Sequence, residues 1–355
     1  MTETVNQDQL DRAVGALLGC ALGDAAGMPT QLLSPDGIRA IYGNVTGFVA
    51  PSDDHPLSAG LAAGTITDDT EQTLLLAETL LRSGAAFDHA RWVDALIAWE
   101  NDIRARGGYD LLGPSTKRAL TAINAGVPVE EAGKAGDTNG AAMRIGPVGI
   151  ATPLDPLTRL VERVADTCRA THNTNLAIAS ASAVAAAVSA GIEGADVHEA
   201  TKVAIGAASL GEREGHWVAG ASIAGRIRWA VDHVLRCDRW AAVEFITELV
   251  GTSVAAQESV PAAFAVLAAT GGDVWEACLM SANLGGDTDT IGAICGTVAG
   301  ACQGRAKLPA AMVAEVCRVN ALDVEPIARR LLKARHAFAA SAGAGALVAR
   351  SPSGA

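Results

Sequence analysis

Apolar residues along this chain recur at helical rather than alternating spacing. In 9–27 they fall at Leu10, Ala13, Val14, Leu17, Leu18, Ala21 and Leu22, the pattern of a helix with a buried face. The runs 74–81, 87–102, 120–125, 176–192, 215–236 and 241–250 also read as helical, and 87–102 carries Trp92 and Trp99 on one face, which points to core packing. A further helix is expected to begin at Gln257-Glu258-Ser259-Val260-Pro261, with Pro261 near the first turn, where proline is tolerated. Between these runs the chain is punctuated. Pro29, Pro35, Pro51 and Pro56 interrupt 28–64, which reads as loop with at most a short strand in 41–49. Gly126-Val127-Pro128 ends the helix before it. The pattern predicts an all-α protein.

Two of the helices carry an unusual stripe. Glycines fall at 15, 19, 23 and 27 in the first, and at 292, 296, 300 and 304 near the end of the chain. Glycine costs about 1 kcal/mol per helical position relative to alanine. A row of them on one face predicts that another backbone packs directly against it, so these helices are expected at the centre of the domain.

Composition narrows the picture. Half of the 355 residues are hydrophobic and only 4% aromatic, so the core is built from thin side chains that let helices approach closely. The formal net charge of -12 argues against binding a phosphate backbone, and no Lys/Arg run offsets it. Seven cysteines form no CxxC pair and no zinc-like spacing, which reads as reduced, mostly buried thiols. The polar start lacks a signal pattern, and 176–192 is rich in Ala, Ser and Val, a buried core helix more than a membrane span. A cytoplasmic protein is expected, monomeric or weakly homo-oligomeric, with one domain over 1–340 and a flexible Ala/Gly/Ser-rich tail over 341–355.

The candidate chemistry lies at helix starts. In Gly285-Gly286-Asp287-Thr288-Asp289-Thr290 two glycines precede two carboxylates and two hydroxyls, and an apolar helical run follows. Thr67-Asp68-Asp69-Thr70 opens another helix with the same chemistry. Each taken alone is an ordinary helix cap. Two such openings brought together would repel unless a cation sat between them, and oxygen donors of this kind suit Mg²⁺ or Mn²⁺. The loop Gly136-Asp137-Thr138-Asn139-Gly140 could turn backbone N–H groups toward a phosphate or sugar, or be a plain turn. His172, in Thr171-His172-Asn173-Thr174, stands at one more helix start.

Taken in order, these motifs resemble the ADP-ribosylglycohydrolase family over nearly the whole chain. Gly15-Ala16-Leu17-Leu18-Gly19 and Gly23-Asp24-Ala25-Ala26-Gly27 are similar to its opening helix, the two acidic openings to its metal motifs, and Asn139-Gly140-Ala141-Ala142-Met143-Arg144 and Thr171-His172 to its middle motifs. The resemblance implies an all-α fold around a dinuclear Mg²⁺ (or Mn²⁺) site held by Thr67, Asp68, Asp69, Asp287, Asp289 and Thr290. It also implies hydrolysis of the ribosyl C1 bond of protein-linked or small-molecule ADP-ribose conjugates. Asp24, Asp137, Thr138, Asn139, Gly140, His172 and Gly286 are expected against the substrate, with Asp69 or Asp289 orienting the attacking water. One position departs from the family pattern. Many members carry a glutamate shortly after the opening helix, where this chain has Gln31, which hydrogen-bonds but is no general base near neutral pH. A smaller nucleoside or ribosyl substrate, or noncatalytic binding of ADP-ribose, therefore stays open beside the main reading.

Overall fold

Asn6 starts helix α1 (Gln7–Gly27), its side-chain oxygen accepting from the Asp8 amide at 2.9 Å, as an N-cap should. The computed structural model describes residues 6–83, 86–105 and 112–348, and no strand forms among them. After α1 come α2 (Pro35–Tyr42), α3 (Asp68–Arg82), α4 (His89–Ala105), α5 (Pro114–Asn124), α6 (Val129–Ala132), α7 (Gly140–Arg144), α8 (Gly146–Ala151) and α9 (Leu157–Cys168). The second half holds α10 (Asn175–Ile192), α11 (Val197–Gly211), α12 (Ile223–Val234), α13 (Arg239–Phe245), α14 (Ala256–Ala269), α15 (Val274–Ala282), α16 (Thr288–Gln303), α17 (Ala310–Asn320) and α18 (Glu325–Val348).

The two glycine stripes face each other. Gly15 meets Gly300, Gly19 meets Gly296 and Gly23 meets Gly292, so α1 and α16 run antiparallel with backbone against backbone. At the far end Gly27 abuts Thr288 and Asp289. Gly304 ends α16 at a φ of 79°, and its backbone still lies 2.8 Å from where a Cβ on Gly15 would be. Both helices are buried on nearly every side. Helix α10 packs on α16 and is almost wholly interior. By length and mean hydropathy, 18 residues at 1.6, α10 could cross a membrane, contrary to the weaker hydropathy expected of it, but 94% of it lies inside the protein.

Helix α1 also positions α3. The Asp24 carboxylate accepts from the amides of Thr67 and Thr70 and from their hydroxyls, at 2.6 to 3.0 Å. This satisfies free N–H groups at the α3 N-terminus. Its place in the fold is thus an anchor between helices. The Thr288 hydroxyl ties α16 to the Gly27 carbonyl at 2.9 Å. The last turn of α1 therefore carries both acidic helix openings side by side.

Several elements differ from expectation. The loop expected in 28–64 contains α2, with Ser34 as N-cap and Pro35 at the first position, a place where proline favours a helix. The helix expected over 215–236 begins only at Ile223, because 216–218 are tied to the start of α10, the Asn175 amide donating to the His216 carbonyl at 2.9 Å. Pro261 lies inside α14, beyond its first turn. Helix α18 runs on through Val348, past the expected start of the tail, and 349–355 fall outside the described residues. Five of the seven cysteines are buried.

Candidate metal and substrate site

The acidic starts of α3 and α16 open into one cavity of about 170 Å³. Asp68, Asp287, Asp289 and Thr290 form its acidic wall. Thr138, Asn139, Gly140 and Met143, at the start of α7, form the second wall, with Gln31, Leu32 and Leu57 opposite. Leu112, Gly113, Pro114, Thr116 and Val254 complete the lining.

Behind the acidic wall lies Asp69, whose Oδ2 accepts from the hydroxyls of Thr67 and Thr290, each at 3.4 Å. Its other oxygen, Oδ1, is buried with no hydrogen-bond partner. A buried carboxylate oxygen without a partner is costly, and a hard cation is the partner its chemistry suits. Burial drives the Asp68, Asp69 and Asp289 carboxyls well above the usual range, and the neighbouring carboxylates push them further. Burial also raises Asp24 and Asp287 to about 6, against the hydrogen bonds that favour their charged forms. Among the described residues no three Asp, Glu, His or Cys side chains already converge on one metal position. The donors are carboxylates interleaved with threonine hydroxyls, a set whose chemistry fits Mg²⁺ or Mn²⁺ and not zinc.

Asn139 joins the two walls, its amide donating to Asp287 Oδ2 at 2.5 Å and to Ser259 Oγ at 3.0 Å. Its backbone N–H donates to the Val254 carbonyl at 3.0 Å, and the Asp287 amide donates to Thr252 at 2.7 Å. The segment 252–255 thus straps the middle motif to the acidic opening. Gln31 lines the cavity, donating from Nε2 to Ser58 Oγ at 3.1 Å. His55 Nδ1 accepts from the amides of Leu57 and Ser58, so its Nε2 carries the proton and donates to the Gln31 carbonyl at 3.0 Å.

Four residues expected against the substrate lie elsewhere. Asp24 is fully buried and spent on the start of α3, as above. The Asp137 side chain is exposed, 3.8 Å from Arg118. Gly286 pairs through its backbone with Leu32 and Leu33 and packs on Thr252, so its role is to shape the loop at a φ of 78°. His172 is completely buried one layer behind the wall, where its ring fills the space a Cβ on Gly140 would need. The cavity also has residues not singled out from sequence. Leu32, at a φ of 62°, is a left-handed non-glycine residue at its mouth, the kind of local strain found at functional sites. Its pairing with Gly286 is made only by the tertiary fold. Arg144, behind the walls, had a legible signal as a cation closing the small-residue run from Gly140, whereas Gln72, one turn after Asp68 and Asp69, did not stand out.

Comparison with known proteins agrees with this architecture. The ADP-ribosylglycohydrolase family matches residues 5–339. An uncharacterized protein of Escherichia coli (strain K12), YegU, is 34% identical over 326 residues, covering 92% of this chain and 97% of that protein. The ADP-ribosylarginine hydrolase Tri1 of Pseudomonas putida (strain GB-1) is 32% identical over 207 residues, 56% of this chain and 52% of its own. Among solved structures, an ADP-ribosylglycohydrolase-related protein complex superposes with a TM-score of 0.66 at 25% identity, over 93% of this chain and 100% of that one. With the match spanning both acidic openings and the helices that set them side by side, this chain belongs to the ADP-ribosylglycohydrolase family.

Proposed function

We propose that this protein is a divalent-cation-dependent glycosidase that hydrolyses the ribosyl C1 bond of an ADP-ribosyl conjugate. The reading is carried by one observation. Asp68, from the start of α3, meets Asp287, Asp289 and Thr290, from the start of α16, at one cavity, and Asp69, bonded to Thr290 just behind it, has a buried oxygen left unpartnered. Thr67, Asp68, Asp69, Asp287, Asp289 and Thr290 would hold two Mg²⁺ or Mn²⁺ ions. When bound, such ions supply electrophilic polarisation of ribose hydroxyls and lower the pKa of water.

The chain's own residues do the remaining work. Asn139 fixes Asp287 by donating to it, which leaves that carboxylate one orientation. We assign Asp289, which lines the cavity, to orient water toward C1, with Asp69, behind the acidic wall, as the alternative. Thr138, Asn139 and Gly140 offer polar groups along the wall where the ribose and diphosphate would lie. Leu32, Leu57, Leu112 and Val254 exclude bulk water around the reacting carbon, which strengthens every polar contact inside. Cleavage breaks the C1 bond to the leaving nitrogen or oxygen with oxocarbenium character, and water supplies the new C1–O bond.

Gln31 favours a second reading. It lines the cavity as an amide that cannot serve as base, so a smaller ribosyl metabolite whose leaving group needs less help is the competing substrate. A panel of ADP-ribosyl-arginine, ADP-ribosyl-serine, O-acetyl-ADP-ribose and free nucleosides, each with Mg²⁺ and with Mn²⁺, separates the two. Release of ADP-ribose from one of the first three supports the main reading. Turnover of nucleosides alone favours the second, and tight binding of ADP-ribose with no product from any would make the protein a binding module.

A further inference from the structure

Arg144 is 2% exposed, and among the described residues no carboxylate pairs with it directly. Its guanidinium carbon lies 5.2 Å from the centre of the Trp92 ring, which supports one side of the group. The other contacts lead away in two directions. NH1 donates to Gln72 Oε1 at 2.5 Å, and Gln72 Nε2 in turn donates to Asp68 Oδ2 at 3.3 Å. NH2 donates to Thr171 Oγ1 at 2.9 Å and faces His172 Nδ1 at 3.4 Å. Thr171 Oγ1 is 2.8 Å from the same His172 nitrogen, and His172 Nε2 is 3.1 Å from Thr138 Oγ1.

These contacts have a forced polarity, because guanidinium N–H groups only donate. With Thr171 Oγ1 accepting from Arg144, the hydroxyl proton is free to go to His172 Nδ1. Arg144 faces that nitrogen too, so Nδ1 is the acceptor and the ring proton sits on Nε2. Nε2–H then donates to Thr138 Oγ1, which leaves the Thr138 proton for the cavity that Thr138 lines. Burial and the nearby arginines keep His172 neutral, well below the usual histidine range, so no second ring proton blurs the sequence. On the other branch, Gln72 cannot flip, since its oxygen is held by Arg144, and its N–H₂ must face Asp68.

We infer that Arg144 is a positioning residue that sets the hydrogen-bond polarity of both walls. Through Gln72 it holds the Asp68 carboxylate, and through Thr171 and His172 it makes Thr138 a hydroxyl donor toward an acceptor oxygen of the substrate. Glycine at 140 is part of the device. A Cβ there would lie 3.1 Å from His172 Nε2 and Cε1, crowding the ring that passes the polarity on. The inference rests on the cavity being the substrate site, but the state of His172 can be read without any substrate.

The test uses the full chain, ¹⁵N-labelled, with Thr171→Val, Gln72→Leu and Arg144→Met variants and with ADP-ribose and Mn²⁺ as probes. Long-range ¹H–¹⁵N spectra, with the signal assigned by its loss in His172→Gln, should show the Nε2–H tautomer between pH 6 and 8. An Nδ1–H ring would overturn the inference. By calorimetry, Thr171→Val should weaken ADP-ribose roughly tenfold and leave Mn²⁺ affinity, followed by electron paramagnetic resonance, within about twofold. Gln72→Leu should weaken Mn²⁺, and Arg144→Met should weaken both. Equal losses of both probes in Thr171→Val and Gln72→Leu would mean general loosening and sink the two-branch assignment. Those two variants decide the matter if Arg144→Met does not fold. If the wild-type chain binds no ADP-ribose, the proposed function fails, and the tautomer alone judges the role of Arg144.

Discussion

Gly19 and Gly296 lie backbone to backbone at the centre of the protein: a Cβ added to Gly19 would fall 2.6 Å from the carbonyl carbon of Gly296. No side chain fits between α1 and α16 there, and the close approach holds Gly27 against the first turn of α16, beside the acidic wall. Gly296→Leu must force the helices apart. A destabilisation of at least about 3 kcal/mol is expected, above the usual cost of overpacking because the clash is with backbone. Urea unfolding measures it, and an unchanged midpoint would refute the packing role.

Ion binding should depend on pH in one direction. Burial raises the Asp287 carboxyl to about 6, and burial together with repulsion from neighbouring carboxylates holds Asp68, Asp69 and Asp289 well above their usual range. Cations need the charged forms, so ions must displace protons wherever the carboxyls are partly protonated. Mn²⁺ affinity is expected to fall steadily as pH is lowered from 8 through 6, with proton release visible as a dependence of the calorimetric enthalpy on buffer. Affinity that rises on acidification would contradict the carboxylate ligand set. Adding Mg²⁺ should raise the melting temperature, and a chelator should reverse the gain.

Asp289→Asn separates stability from function. In the metal-free protein it replaces a carboxyl whose charged form burial and the neighbouring carboxylates oppose, so the variant should be more stable than wild type at pH 7.5. With ions present the order should reverse, and turnover should fall at least about a thousandfold together with metal binding. A variant that loses metal but keeps full activity would refute the mechanism.

Gln31 should matter less than the carboxylates. It offers one amide at the cavity and holds Ser58 in place, a contribution worth about 1–1.5 kcal/mol. Gln31→Ala is therefore expected to lower kcat/KM by no more than roughly tenfold. A loss as deep as that of Asp289→Asn would assign Gln31 a direct part in the chemistry.

The helices with strong periodicity were legible in the sequence, and so was the unusual closeness implied by glycines at every fourth position of 15–27. The acidic openings were legible too, because the same run of carboxylates and hydroxyls recurs at two helix starts far apart in the chain. Helix α2 was hidden by Pro35, which breaks a helix in its interior but begins one at its first turn. The positions of Asp24 and His172, off the cavity lining, were not legible for a different reason. Both belong to motifs at the site, yet one is turned to the backbone of α3 and the other stands behind Gly140.

The sequence by itself determined the class of fold, the two stripes that had to be packed against backbone, and the oxygen-rich residues able to hold a hard cation. These are properties of spacing and residue type, which are local. Only the tertiary structure decided that the stripes face each other, and so that Asp69 lies under Thr290 and that Arg144 bonds both Gln72 and Thr171, behind the walls of one cavity. Those relationships join residues far apart in the chain, and they are set by how closely two helices without side chains at their contact can approach.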